Sequence, residues 1–160
     1  MNVKLKALVI DDSGVMRKMV MKSLADSQLA LFDFVEAVDG ADALTKFDPN
    51  EFHIAFIDWN MPNMTGIDLV RKIRELEDTS HVGLVMVTSE KTMGKIQEAL
   101  DEAGADAFIT KPFTVEELQH KLKKVIEKVS VAALRRARQR REQVEQSEEG
   151  HSGIFGKLFS

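Results

Sequence analysis

The sequence predicts an α/β fold built on a five-stranded parallel sheet. Two observations lead to this prediction. Short apolar segments rich in Val, Ile, Leu and Phe recur along residues 1–129, and turn residues bound them. Segments with the apolar spacing of amphipathic helices lie between them. Strands that alternate with helices in this way form a parallel sheet through right-handed crossovers, with helices on both faces.

The first half of the pattern contains three strands and two helices. A continuous apolar strand at 6–10 stops at Asp11 and Asp12, and a helix at about 15–25 follows, with Ser13 or Asp12 as its N-cap. The other predicted elements of this half are a strand at 32–38, a short helix at 41–47 and a strand at 53–57.

The second half repeats the alternation. A helix opens at Thr65 or Gly66 and runs through Leu76. Gly104 ends a later helix, and Thr114 lies near the start of the last one, whose first turn carries acidic side chains that suit the helix dipole. The strands of this half are predicted at 82–87 and 107–110, and the helix that Gly104 ends at 92–103.

Polar side chains follow four of the five predicted strands. Asp11 and Asp12 follow the first strand, Asp58 the third, Thr88 the fourth and Lys111 the fifth. Because the carboxyl ends of parallel strands share one edge of the sheet, we expect these side chains to converge there. The second strand contributes nothing comparable, which suits an edge strand in the flavodoxin-like order 2-1-3-4-5.

The converging carboxylates predict a divalent-cation site. Three carboxylates at one edge repel each other, and a hard cation relieves the cost of ionising them. Mg²⁺ (or Mn²⁺) suits a site with few oxygen ligands and room for water. Asp12 and Asp58 are candidate direct ligands, and Asp11 acts directly or through water.

The same residues suit phosphoryl transfer, which needs positioning and positive charge more than covalent help. Asp58 would be the nucleophile that forms an aspartyl phosphate, while the Lys111 ammonium and the Thr88 hydroxyl contact the phosphoryl oxygens. Each residue alone has an ordinary interpretation as a helix cap, a turn or a strand end. Their joint placement favours the chemical interpretation.

The chain resembles a two-component response regulator receiver domain of the CheY-like single-domain type, over about residues 5–128. The motifs that carry the resemblance are Val9-Ile10-Asp11-Asp12-Ser13, Asp58-Trp59-Asn60-Met61-Pro62 with Gly66, Val87-Thr88-Ser89-Glu90 and Lys111-Pro112-Phe113.

The resemblance implies that Asp58 is the phosphoacceptor of a histidine kinase and that the Asn60 backbone carbonyl completes the metal shell. Thr88 and Phe108 would form the switch, and the face built from residues 92–129 would bind a protein target when Asp58 is phosphorylated. Asn60 and Glu90 occupy the positions that tune dephosphorylation, and their identities predict rapid autodephosphorylation.

Phe108 departs from the chemotaxis pattern, in which Tyr is typical. A phenylalanine keeps the ring of the switch but lacks the hydroxyl, and a simple core role for Phe108 stays open.

Several functions compete. The leading interpretation is a signalling receiver in a chemotaxis- or motility-like pathway, not an enzyme beyond its own phosphorylation and autodephosphorylation. One alternative is a phosphorelay intermediate that passes phosphate to a histidine phosphotransfer protein. The others are an aspartyl-phosphate phosphohydrolase, whose expected second acid is replaced by Asn60, and an unphosphorylated scaffold.

Composition and charge limit the kinds of partner and chemistry that the chain can have. The net charge of −4 is divided unevenly, with −6 over residues 1–129 and +2 over 130–160. An acidic body predicts no nucleic-acid binding. The chain has no Cys, which excludes disulfides and thiolate chemistry. The sequence shows no signal peptide or membrane span, and we expect a cytoplasmic protein.

The predicted organisation is a receiver domain at 1–129, a helical extension at 130–147, and a flexible linker with a short apolar motif at 148–160. The extension is too short for a sustained coiled coil, which would need three or four heptads. Its basic cluster at 135–141 could contact an acidic partner or anionic lipid, or be a solvated helix. The motif at 154–160 suggests a docking segment or a weak membrane contact, against a disordered end.

Overall fold

The computed structural model describes the backbone of residues 3–158 and the side chains of residues 3–153. Its strands are β1 (Lys4–Ile10), β2 (Leu31–Ala37), β3 (Ile54–Ile57), β4 (Gly83–Thr88) and β5 (Ala107–Thr110). Its helices are α1 (Gly14–Ser27), α2 (Gly40–Lys46), α3 (Gly66–Glu75), α4 (Met93–Gln97), which continues as a π-helical segment (Glu98–Ala103), and α5 (Val115–Leu158).

The five strands form one parallel sheet in the order β2-β1-β3-β4-β5, as the sequence predicts. β3 and β4 are buried along their whole length, whereas β2 at the edge is mostly half-buried or exposed. The pattern follows the sequence, because strands covered on both faces need continuous apolar runs. The central strands therefore place their last residues at the middle of the carboxyl edge.

Each face of the sheet carries its own layer of apolar side chains. On one face Ile57 and Met86 pack in a cluster with Ile67 and Val70 of α3. On the other, Val125 and Val129 of α5 lie against Gly83, where an added Cβ would come within 3.0 Å of both side chains. Alternate strand residues point to opposite faces, so the two layers hold the sheet between the helices.

Side-chain caps fix where two helices begin at this edge. The Ser13 hydroxyl accepts a hydrogen bond from the Met16 N–H (3.3 Å) at the start of α1. The Thr65 hydroxyl accepts one from the Asp68 N–H (3.2 Å) at the start of α3. Such caps satisfy amide donors that have no partner inside the helix, and they fix the chain just after Asp11 and Asp58.

The segment after α4 departs from a regular α-helix. It ends at Gly104, as predicted, with a left-handed φ of 93° that glycine adopts without strain. The Ala105 N–H donates to the Ala99 carbonyl at 2.9 Å, which closes the wide final turn.

The contacts within the chain divide it into two compact units after Ser130. α5 is continuous through 148–158, where we expected a flexible linker. Composition permits this continuation: each of the three glycines in the segment costs the helix only about 1 kcal/mol, and no proline breaks it. The side chains of the predicted apolar motif at 154–160 lie outside the described residues. Within the described part of the chain, no helix is long and apolar enough to cross a membrane.

Candidate functional site

Three carboxylates meet at the carboxyl edge of the sheet. Asp11 and Asp12 follow β1 and Asp58 follows β3, and one oxygen from each lies within 4.8 Å of the others. Asp11 is buried, Asp58 is half-buried and Asp12 is exposed. The cluster therefore faces solvent on one side and the sheet on the other.

Asp11 is held by contacts on several sides. Its Oδ1 accepts a hydrogen bond from the Ser13 N–H at 2.9 Å, and its Oδ2 accepts one from Lys111 Nζ at 3.1 Å. Its backbone carbonyl accepts a hydrogen bond from Arg17 at 2.7 Å. With both oxygens engaged, Asp11 is a fixed negative charge beneath the other two acids.

Lys111 reaches the cluster from the end of β5. Its Nζ lies 3.1 Å from Asp11 Oδ2 and 3.6 Å from Asp58 Oδ1. Its backbone N–H donates to the Thr88 carbonyl at 2.9 Å, and the Lys111–Pro112 peptide bond is cis. The ammonium thus bridges the acids of two strands.

Asp58 Oδ1 accepts a hydrogen bond from the Trp59 N–H at 2.9 Å. The Thr88 side chain acts to lower the pKa of the Asp58 carboxyl. Burial raises the pKa of the Asp58 carboxyl above its usual value; the Lys111 ammonium opposes this, and the Asp11 carboxylate adds to it. Added positive charge near Asp58 would favour its ionised, nucleophilic form.

Gly66 lets the loop after β3 close tightly. Its N–H donates to the Trp59 carbonyl at 2.8 Å. An added Cβ at this position would lie 2.0 Å from the Asp58 carbonyl oxygen. No side chain fits at this distance, so the glycine is needed for the backbone to bring Asp58 to the edge.

The predicted switch residues lie behind the acids. Thr88 is fully buried, and Phe108 is 5% exposed in the packed core. The ring centroids of Phe108 and Trp59 are 6.5 Å apart. Phe108 is thus turned inward, behind the threonine that contacts Asp58.

The two residues predicted to tune dephosphorylation contact each other above the site. The Asn60 side-chain amide donates to Glu90 Oε1 at 3.3 Å. Lys95 Nζ lies 3.2 Å from the same oxygen and 5.0 Å from the centroid of the Trp59 ring. Lys95 and then Asn60 hold the pKa of the Glu90 carboxyl below its usual value.

Sequence reasoning missed Lys95. A lysine near the start of a helix carries no recognisable signal, because its contacts depend on how α4 packs beside the loop. Arg17 was missed as well, because its contact with the Asp11 carbonyl depends on the fold and not on a spacing in the sequence.

The predicted output face contains a cavity of about 670 Å³. Ile96, Leu100 and Phe108 give it an apolar floor, and lysines 121, 123 and 124 lie around it. The buried ring of the switch thus borders an apolar depression on the surface.

The donor set fits a hard divalent cation. All three clustered side chains offer oxygen, and the exposed side of the cluster leaves room for water. Lys111 neutralises only part of the charge of three acids. Asp12 and Asp58, with Asp11, are the side chains that would hold the ion.

Comparisons with known proteins identify the family of the chain. The family model described as the response regulator receiver domain matches residues 7–123. The chemotaxis protein CheY of Pseudomonas aeruginosa is 39% identical over 126 residues, which cover 79% of this chain and 99% of that protein. CheY1 of Helicobacter pylori is 38% identical over 123 residues, which cover 76% of this chain and 97% of the relative. The solved structure of Vibrio cholerae CheY4 has a TM-score of 0.67 and 33% identity, and the match covers 77% of this chain and 99% of that one. The chain belongs to the response regulator receiver domain family.

Proposed function

We propose that this protein is a single-domain response regulator that accepts a phosphoryl group on Asp58 from a histidine kinase. The observation that carries the proposal is the position of Lys111 Nζ between Asp11 and Asp58. A structural ion pair would need one acid. Here a cation and a hydroxyl donor surround a half-buried carboxylate whose remaining face is open.

In the proposed reaction an Asp58 carboxylate oxygen attacks the phosphorus of a kinase phosphohistidine. The new O–P bond forms as the N–P bond breaks, and the imidazole leaves with its electron pair. Lys111 and the Thr88 hydroxyl contact the equatorial oxygens, where charge accumulates. Mg²⁺ (or Mn²⁺) held by Asp11, Asp12, Asp58 and the Asn60 carbonyl would supply further charge neutralisation when bound.

The switch follows from the packing behind the site. In the unphosphorylated protein the Thr88 side chain acts on the pKa of the Asp58 carboxyl, and a phosphoryl group would offer its hydroxyl stronger, charged acceptors. Thr88 and Phe108 are both buried. A Thr88 side chain drawn towards the phosphoryl group would leave more room for the inward ring of Phe108. Phosphorylation then shifts a pre-existing equilibrium rather than creating a new fold.

The output is binding of a protein partner at the face formed by residues 92–129. Support comes from the apolar depression that Phe108 borders and from the lysines around it. By likeness to the CheY relatives, we place the pathway in chemotaxis-like signalling. A phosphorelay role would use the same Asp58 chemistry with a histidine phosphotransfer protein as the acceptor.

Asn60 and Glu90 would set the lifetime of the phosphoryl group, since their side chains meet beside the acceptor. We expect autodephosphorylation to be rapid. A lifetime of many hours in Mg²⁺ would contradict this part of the proposal.

Trp59 provides the test. It is the only Trp, and its backbone N–H bonds Asp58. Mg²⁺ followed by beryllofluoride, a mimic of the phosphoryl group, should change its emission, and Asp58→Asn should abolish the response to the mimic. An unmodified protein that binds Mg²⁺ but does not respond to beryllofluoride would overturn the proposal. Steady turnover of small phosphate esters would favour the phosphohydrolase alternative.

A further inference from the structure

The part of α5 beyond Ser130 exposes several apolar side chains. Val131, Leu134 and Val144 are 55%, 59% and 54% exposed. Leu134, Ala137, Arg141 and Val144 follow the alternating spacing of three and four residues that forms the seam of a coiled coil. The same spacing continues at Glu148 and His151 and, in the sequence, at Phe155 and Leu158, so the seam contains both apolar and charged positions.

This helix is longer than its sequence suggested. Because α5 continues to Leu158 rather than ending before a linker, residues 131–158 provide four heptads. A single solvated helix draws little stability from propensity alone, and most helical stability in proteins comes from packing an apolar face. A partner helix that covers Leu134, Ala137 and Val144 would supply that packing.

The distribution of charge along the helix indicates which kind of partner fits it. Residues 135–141 contain five arginines, and residues 142–149 contain four glutamates. An acidic protein or an anionic membrane would attract the first block and repel the second. The same segment from another molecule, running in the opposite direction, satisfies both, whereas a parallel pair would set the basic blocks against each other.

We propose that residues 131–158 bind the same segment of a second copy of this chain as an antiparallel coiled coil. The register that aligns opposite blocks places Arg141 beside Val144 of the second copy and Leu134 beside its His151. It also sets Arg138 opposite Glu145 of the second copy, and two-fold symmetry makes that ion pair twice.

Arg138 is available for this exchange. Within one chain it contacts Glu142 at 3.1 Å, and the two side chains are 83% and 53% exposed. Exposed pairs of this kind contribute little stability, so a change of partner costs little. The inference does not depend on phosphorylation of Asp58.

Sedimentation equilibrium of the full chain tests the proposal, at about 5 to 500 µM protein because dimerisation follows mass action. The mass should rise from 18.0 kDa towards twice that value. Arg138→Glu or Glu145→Arg should raise the dissociation constant about tenfold, equivalent to ~1.4 kcal/mol. The double variant should restore it. Arg135→Glu is the matched control, because it makes the same charge change on the outward side of the seam.

A mass of 18.0 kDa at every concentration would overturn the proposal. So would equal weakening by Arg135→Glu and Arg138→Glu, or a double variant that stays weak. Circular dichroism of each variant checks that its helix persists.

Disulfide cross-linking between introduced cysteines tests whether the two helices run in opposite directions. The chain contains no cysteine of its own that would interfere. Under mild oxidation, a mixture of Leu134→Cys and His151→Cys chains should give the mixed disulfide. Predominant self-linking of Leu134→Cys would indicate a parallel pair and refute the antiparallel one.

Discussion

Lys111 Nζ lies 3.6 Å from Oδ1 of Asp58, although the two residues follow different strands and are far apart in sequence. The parallel sheet brings them together because β3 and β5 end at the same edge. Asp11 holds the other side of the ammonium at 3.1 Å. The lysine therefore faces the proposed acceptor before any phosphoryl group arrives, and little reorganisation is needed.

Lys111→Met should slow phosphorylation of Asp58 by a small phosphodonor about a hundredfold, the usual scale for loss of one positioned charge donor. The substitution keeps the aliphatic length and removes the ammonium. Phosphorylation rates in saturating Mg²⁺ measure the effect. Lys128→Met is the control, because Lys128 pairs with Asp106 away from the acids. Equal rates in the Lys111 variant and the parent would contradict the role of Lys111.

Asp58→Asn should stabilise the metal-free protein near neutral pH. Burial raises the folded-state pKa of Asp58. The protonated carboxyl therefore favours the fold fully below its unfolded pKa, and this contribution is lost as the pH rises through the folded value. Asparagine keeps a neutral side chain at every pH, so its advantage should shrink in acid.

Urea unfolding in EDTA across the acid-to-neutral range measures this difference. Asp26→Asn, at an exposed ion pair with Lys22, is the control and should change stability little. Added Mg²⁺ should stabilise the parent more than Asp58→Asn, because only the parent keeps all three acids. A variant less stable than the parent at neutral pH in EDTA would refute the expectation.

Gly66→Ala should destabilise the fold by at least about 2 kcal/mol, since its Cβ would overlap the Asp58 carbonyl oxygen and the backbone would have to move. Gly94→Ala is a matched change in α4, where an added Cβ meets nothing within 4 Å. It should stabilise by about 0.5 kcal/mol through lost freedom of the unfolded chain. Similar effects from both substitutions would show that the close approach at Gly66 is unimportant.

The sequence predicted the convergence of the site well because it depends on strand order and strand ends. Apolar runs mark where β1, β3, β4 and β5 stop, and a parallel sheet brings those ends to one edge. The absence of a site residue after β2 followed from its place at the edge of the sheet. These are properties of the backbone pattern, which local sequence determines strongly.

Contacts between side chains of different elements could not be predicted from strand order in this way. The position of Lys95 over Trp59 requires α4 to lie beside the loop after β3, and no spacing in the sequence encodes that distance. The helix through 148–153 was missed because Gly150 and Gly153 resemble linker residues. Each glycine costs a helix about 1 kcal/mol, which weakens it without ending it, whereas a proline would cost about 3 kcal/mol.

Lys95→Met should raise the pKa of Glu90 towards its usual value, because Lys95 is the largest cause of its lowering. Asn60→Ala should act in the same direction but less, since Asn60 is the second cause. Carboxyl titration of Glu90 by NMR measures both shifts, and Lys91→Met removes the same charge nearby as a control.

Because Lys95 also lies 5.0 Å from the Trp59 ring, Lys95→Met should change Trp59 emission without Mg²⁺ or beryllofluoride. A Glu90 midpoint that is the same in Lys95→Met and the parent would show that the contact at 3.2 Å is not maintained in solution.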